Sequence, residues 1–287
     1  MKKYIVPVCF VLIFLFGLSL FLYPFISNLN NDNINNRLID KYNESESNLS
    51  YDEKNKLLED ARTYNENLHN KQKLDELGLE YENLLNPSGD SMMGTLEIPK
   101  ISVNLPIFHT LDDSNLQAGI GHKEDTALPV GGAGTHCVLA GHTGLPSAKL
   151  LTSLDRLRND DLFYIHVLGE TLCYRVDNIA VTEPDETALL QAVRDKDYLT
   201  IVTCTPYGIN THRLLVRGVR VLEDEGVAPE ALTVSNDVEF IKPVYLVTFC
   251  IVAAIVLYFV IKCVVRKIIE RRQKGGDASE KNTGQNN

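Results

Sequence analysis

Positive charge is scarce through most of this 287-residue chain. The net charge is −10, although Lys2 and Lys3 and the stretch from Lys262 onward are basic, with +6 between them. Residues 27–242 are left with about −16, which argues against a nucleic-acid-binding surface. Cysteine is equally thin. Of six, Cys9, Cys250 and Cys263 lie in or beside two apolar runs, leaving Cys137, Cys173 and Cys204. Three thiols are no disulfide framework, and at least one is free or paired between molecules. A Cys137–Cys173 bond with Cys204 free is one arrangement, and two buried apolar thiols is the plainer one. There is no internal repeat, and no Ala-x-Ala pattern follows the first apolar run. An uncleaved anchor therefore fits that run better than a cleaved signal peptide, whose apolar core spans about 7–15 residues.

Two long uncharged runs are present. Tyr4 to Ile26 and Pro243 to Ile261 are each long enough to cross a bilayer at about 1.5 Å per residue. Lys2 and Lys3 precede the first, and Lys262, Arg266, Lys267, Arg271, Arg272 and Lys274 follow the second. The positive-inside rule puts both ends in the cytoplasm and Ser27 to Lys242 outside, tethered to the lipid bilayer. The expected divisions are an anchor at 1–26, a stalk and helical region at 27–88, and a β domain at 89–225. A linker at 226–242, a second span at 243–261 and a basic tail at 262–287 complete the chain.

After an Asn-rich stalk at Asn28 to Asn36, Leu57, Ala61, Tyr64 and Leu68 recur at helical spacing. That stripe calls for burial, so the helix is expected to pack on the β domain that follows. Leu77, Tyr81, Leu84 and Leu85 suggest a second helix, ended by Asn86-Pro-Ser-Gly89. From Gly94 the pattern changes to short strands: Thr95 to Ile98, Val103 to Ile107, and His136 to His142 after a long loop at Leu111 to Gly134. Pro146 to Leu157 reads as a helix, and Asp161 to Val167 with Thr171 to Val181 as a hairpin about Leu168-Gly-Glu170. Pro184 to Asp197 reads as a short helix before the strand Thr200 to Cys204, and Arg213 to Val221 as the last strand. Many short strands with few long helices indicate a β-barrel or sandwich.

The chemistry gathers at strand ends. Cys204 closes a β-branched run, a loop marked by Pro206, Tyr207, Gly208 and Asn210 follows, and Arg213 opens the next strand. If these strands pair, the thiol and the guanidinium come within reach of one substrate. The strand His136 to His142 also ends in a potential acid/base. Cys, His and Arg at three strand ends suit a nucleophile, a general acid and an anion stabiliser. Of the other histidines, His136 suits a satisfied core residue, and alternation turns His212 away from Arg213. Arg217 shares the face of Arg213 and is the fallback cation. A metal site from His136, Cys137 and His142 fails on the same alternation, so no metal or other cofactor is expected.

Thr200-Ile-Val-Thr-Cys204, with Arg213 nine residues on, resembles the Thr-Leu-x-Thr-Cys signature of sortases, with Ile201 at the Leu position. Asn104-Leu-Pro-Ile107, Leu128-Pro-Val-Gly-Gly132 and Ala140-Gly-His-Thr-Gly-Leu-Pro146 resemble the pilus-assembling class C branch. The resemblance implies a mainly β fold, an eight-stranded sortase-type barrel with N-terminal helices and two flanking membrane helices. It implies transpeptidation by catalytic His142, Cys204 and Arg213, with Thr203 at the substrate. The substrate would be a Leu-Pro-x-Thr-Gly-type signal cleaved after Thr, and a pilin lysine or a wall-precursor amine would resolve the thioester. A wall-anchored substrate would itself carry Leu-Pro-x-Thr-Gly before a C-terminal span, and Val234 to Pro243 holds nothing like it. A non-catalytic binding module keeping the barrel is the reading from another class, against which the joint presence of Cys, His and Arg argues. Class C enzymes usually carry a lid with an Asp-Pro-aromatic triplet. Residues 69–80 here hold no Pro, Phe, Tyr or Trp, and Asp75 is their one aspartate, so a shortened or missing lid is expected.

Overall fold

A computed structural model describes residues 2–222, with side chains from Leu12 on, together with Lys262 and Arg266. The expected span at Pro243 to Ile261 and the linker at 226–242 lie outside the described residues. Contacts divide the chain between Leu22 and Tyr23. The first unit holds the start of a long helix, α1 (Lys2–Ser47), whose stretch from Leu12 is long and apolar enough to cross a membrane.

The second unit is built on a closed eight-stranded barrel. Its strands are β1 (Met92–Ile98), β2 (Val103–Phe108), β3 (Ile120–His122), β4 (Thr135–Gly141), β5 (Leu162–Val167), β6 (Glu170–Thr182), β7 (Asp197–Thr205) and β8 (His212–Arg220). They close in the order β1-β2-β3-β4-β7-β8-β6-β5. β4 runs parallel to β7, so both deliver their C-terminal residues to one end, and β8 starts there. Alternation fills the interior with Leu96, Ile107, Leu139, Phe163, Tyr174, Ile201 and Val216. The β5–β6 hairpin turns on Leu168 and Gly169, both at positive φ, the primed geometry that matches strand twist.

The N-terminal helices pack on the barrel. α2 (Tyr51–Glu66) starts at a reciprocal capping box between Ser50 and Glu53 and buries Leu58, Ala61 and Tyr64, close to the expected stripe. The Asn-rich stretch is not a loose stalk. It continues α1, where Asn35 is buried and Tyr42 donates to the Met93 carbonyl at 2.8 Å. The expected second helix is split into α3 (Lys71–Leu77) and a 3-10 turn at Tyr81–Asn83, because Gly78 caps α3 in the left-handed conformation. Leu111 to Gly134 is more than a loop, since it contains α4 (Asp113–Ala118) and β3, the latter too short for periodicity to reveal. Pro146 to Leu157 forms turns with a 3-10 segment at Leu154–Arg156, and Pro184 to Asp197 has only a 3-10 turn at Ala188–Leu190. Leu150, Leu151, Leu154 and Leu157 are still buried, so the apolar spacing recorded burial without an α-helix.

Candidate active site

Register brings the candidate residues together. Cys204 on β7 lies directly opposite Arg213 on β8, and opposite residues of an antiparallel pair share a face. β4 and β7 are in parallel register from Thr135/Asp197 to Ala140/Val202, so the chain continues into His142, one residue past the end of β4, at the same barrel end as Cys204. Thr203 holds that continuation: its hydroxyl donates to the Gly141 carbonyl at 2.8 Å. Packing leaves Gly141 no room for a side chain, since a Cβ there would sit 2.7 Å from Ile120 Cγ2 and 2.9 Å from Leu151 Cδ1. His142 follows at once, with its carbonyl accepting from Leu151 N at 3.2 Å.

Cys204 is a free, half-buried thiol, and His142 and Arg213 are also half-buried. Arg213 Nη1 donates to the carbonyls of Asn210 at 3.4 Å and His212 at 3.2 Å, so the guanidinium lies along the β7–β8 loop. That loop presents exposed Tyr207 and Ile209, with the Tyr207 ring against the Gly144 backbone. A thiol, an imidazole and a guanidinium, the candidates for nucleophile, acid/base and anion stabiliser, thus stand at one barrel end beside exposed apolar groups.

The remaining candidates fall elsewhere. Thr203 is buried and faces the interior, its hydroxyl engaged by Gly141. Asp75 is exposed on α3, whose buried residue is Leu74. Residues His69 and Asn70 line a groove of about 730 Å³ with Asp125, His136 and Gln191. His136 is a satisfied core histidine: Nδ1 donates to the Gln191 carbonyl at 3.0 Å and Nε2 accepts from Thr200 at 2.7 Å. Burial holds its pKa below the ordinary value. Arg217 is taken by Asp177 through two bonds of 3.0 and 2.9 Å and lies over the Tyr198 ring. His212 sits 3.3 Å from Glu183. Neither Cys137 nor Cys173 is in a disulfide among the described residues; Cys137 is buried in the core cluster, and burial pushes its thiol well up. Sequence reasoning missed Thr182, which the β6–β8 register sets opposite Arg213. No local motif signals that pairing.

Comparison with known proteins matches this site to a family. A model of the sortase domain matches residues 96–221, which include all three candidates. Sortase C1 of Streptococcus agalactiae is 40% identical with a TM-score of 0.61, over 65% of this chain and 98% of that one. The chain belongs to the sortase family. Its members are cysteine transpeptidases. Sortase C of Clostridium perfringens, solved with the C-terminal cell wall sorting motif, is also 40% identical, with a TM-score of 0.56 over 65% of this chain and 98% of that one. Sortase D of Bacillus subtilis is 28% identical over 47% of this chain and 67% of its own length. Sortase A of Streptococcus agalactiae is 28% identical over 40% of this chain and 47% of its own. The chain spans about half to two thirds of these curated relatives.

Proposed function

We propose that this sortase joins the acyl part of a Leu-Pro-x-Thr-Gly-type signal to a pilin lysine. In this reading Cys204 is the nucleophile. Its thiolate attacks the Thr carbonyl, Arg213 donates to the developing oxyanion, and His142 protonates the departing glycine amine. The Thr–Gly bond breaks and a Cys204 thioester forms. A lysine ε-amine then attacks the thioester and gives its proton to His142, expelling the thiolate and leaving an isopeptide bond. Thr203 takes a positioning role, because its hydroxyl is committed to the carbonyl that precedes His142. An anchor in α1 would keep the enzyme beside membrane-tethered substrates.

The observation that carries the pilin reading is the likeness to sortase C structures at 36–41% identity over 59–66% of the chain. That share exceeds the family-domain match at residues 96–221. Cell-wall anchoring is the second reading. The exposed Asp75 and the absence of the lid triplet in residues 69–80 favour it. The test is a chase of the acyl-enzyme in the detergent-solubilised full chain. One arm offers Nα-acetyl-lysine amide, which presents an ε-amine, and the other a diglycine α-amine. Faster release by the ε-amine supports pilin joining, and faster release by the α-amine overturns it in favour of anchoring.

A further inference from the structure

Three strands bring a fourth residue into line with the site. Thr182 on β6 lies opposite Arg213 on β8, and Arg213 lies opposite Cys204 on β7. Opposite residues of antiparallel strands share a face, so hydroxyl, guanidinium and thiol form a row at strand spacings of about 4.8 Å. The Thr182 hydroxyl oxygen is buried and has no hydrogen-bond partner among the described residues. Buried hydroxyls are rarely left so, because nothing replaces the water they lose. Arg213 has spare capacity of the complementary kind. A guanidinium carries five N–H donors, yet among the described residues its hydrogen bonds run through Nη1 alone, at 3.2 and 3.4 Å.

Arg217, four residues on and on the same face, shows the alternative. Its β6 neighbour is Asn178, and the adjacent bulge supplies the Asp177 carboxylate, which takes two N–H groups. That cation is neutralised and held. A neutral hydroxyl in the corresponding place can orient a guanidinium without cancelling its charge, as stabilising an oxyanion requires.

We propose that Thr182 is a positioning residue for Arg213. Its hydroxyl accepts a guanidinium N–H when Arg213 leaves the loop carbonyls and turns over Cys204 to meet the acyl carbonyl of the sorting peptide. This rests on the reading of Arg213 as the group that meets that carbonyl.

The experiment measures single-turnover acylation of the detergent-solubilised full chain by a Leu-Pro-x-Thr-Gly peptide. Intact mass is followed across peptide concentrations, with melting temperature taken alongside. Thr182→Val keeps the branched shape and removes the hydroxyl. It should slow the acylation step about tenfold with peptide affinity unchanged, and leave the melting temperature equal or higher. Thr182→Ser should restore the rate. In an Arg213→Lys background, Thr182→Val should cost nothing further. Acylation by Thr182→Val at the wild-type rate overturns the proposal, as does an equal loss in both backgrounds or a loss that tracks melting temperature. Arg213→Lys acylating at the wild-type rate overturns the underlying role of Arg213 as well, whereas a slow Arg213→Lys with a normal Thr182→Val removes Thr182 alone.

Discussion

The parallel strands β4 and β7 and their neighbour β8 have two ends of opposite character. At one end Asp197 accepts from the Tyr174 hydroxyl at 3.0 Å and from Gly132 N at 2.9 Å, with Arg220 at 3.9 Å. Cys137 lies two residues into β4 from that end, buried, its thiol held protonated by lost solvation. At the other end stand Cys204, His142 and Arg213, all half-buried; among the described residues most of the guanidinium is unused and the neighbouring Thr182 hydroxyl has no partner. A cavity of about 1370 Å³ opens at the Asp197 end, so concavity by itself does not mark the chemistry. Unspent hydrogen-bonding capacity does not mark it alone either, because Arg220 Nε at the Asp197 end is also buried without a partner among the described residues. What separates the ends is that Cys137 is fully buried and Cys204 is reachable. A carboxylate engaged by two donors holds strand ends together, and a half-buried thiol beside a guanidinium can be reached by a substrate.

The two thiols give the largest contrast. Cys204→Ala should cut acyl transfer by more than about a thousandfold and leave the melting temperature in place. Cys137→Ala should keep the rate and lower stability, read by acylation kinetics and thermal melting on both variants. The histidines divide the same way. Burial pushes His122 down to about 4, where Nε2 donates to the Ala127 carbonyl and Tyr81 lies 2.7 Å from Nδ1. An unfolded chain binds this proton near pH 6.5 and the folded chain only near pH 4. Stability should therefore fall by about 3 kcal/mol as pH drops through that window. Urea unfolding from pH 7 to 4 checks this, with His122→Gln flattening the slope.

Asp197→Ala comes next. It strands the Tyr174 hydroxyl and Gly132 N–H and should cost about 2 kcal/mol of stability, with unchanged acylation per folded molecule. The smallest effect belongs to Arg217→Ala, which breaks a partly exposed pair with Asp177. About 1 kcal/mol should be lost without slowing acylation, whereas Arg213→Ala should slow it without loss of stability.

Much of this division was legible in the sequence. The β-branched run before Cys204, the turn residues after it and the alternation through Arg213 and Arg217 located the β7–β8 pair and its outward face. The hairpin at Leu168 and Gly169 was readable from its own turn residues. What stayed hidden was set at long range. β3 is three residues held by β2 on one side and β4 on the other, so its existence depends on partners and not on local pattern. The leucines from Leu150 to Leu157 are spaced as a helix would space them, yet they fill the core from a chain of turns. Thr203 faces inward because Leu199 and Ile201 do, which alternation could have indicated. Thr182 depended on a β6 register that slips at the bulge between Val176 and Asn178.

The most direct test of the contrast between the two strand ends is the location of the acyl group. The full chain in detergent is incubated with a Leu-Pro-x-Thr-Gly peptide, digested at acidic pH to preserve thioesters, and mapped by mass spectrometry. We expect an adduct equal to the peptide cleaved after Thr on the fragment containing Cys204, with Cys137 and Cys173 unmodified. An adduct on Cys137 or Cys173, or one that persists in Cys204→Ala, would contradict the assignment of the Cys204 end as the site of chemistry.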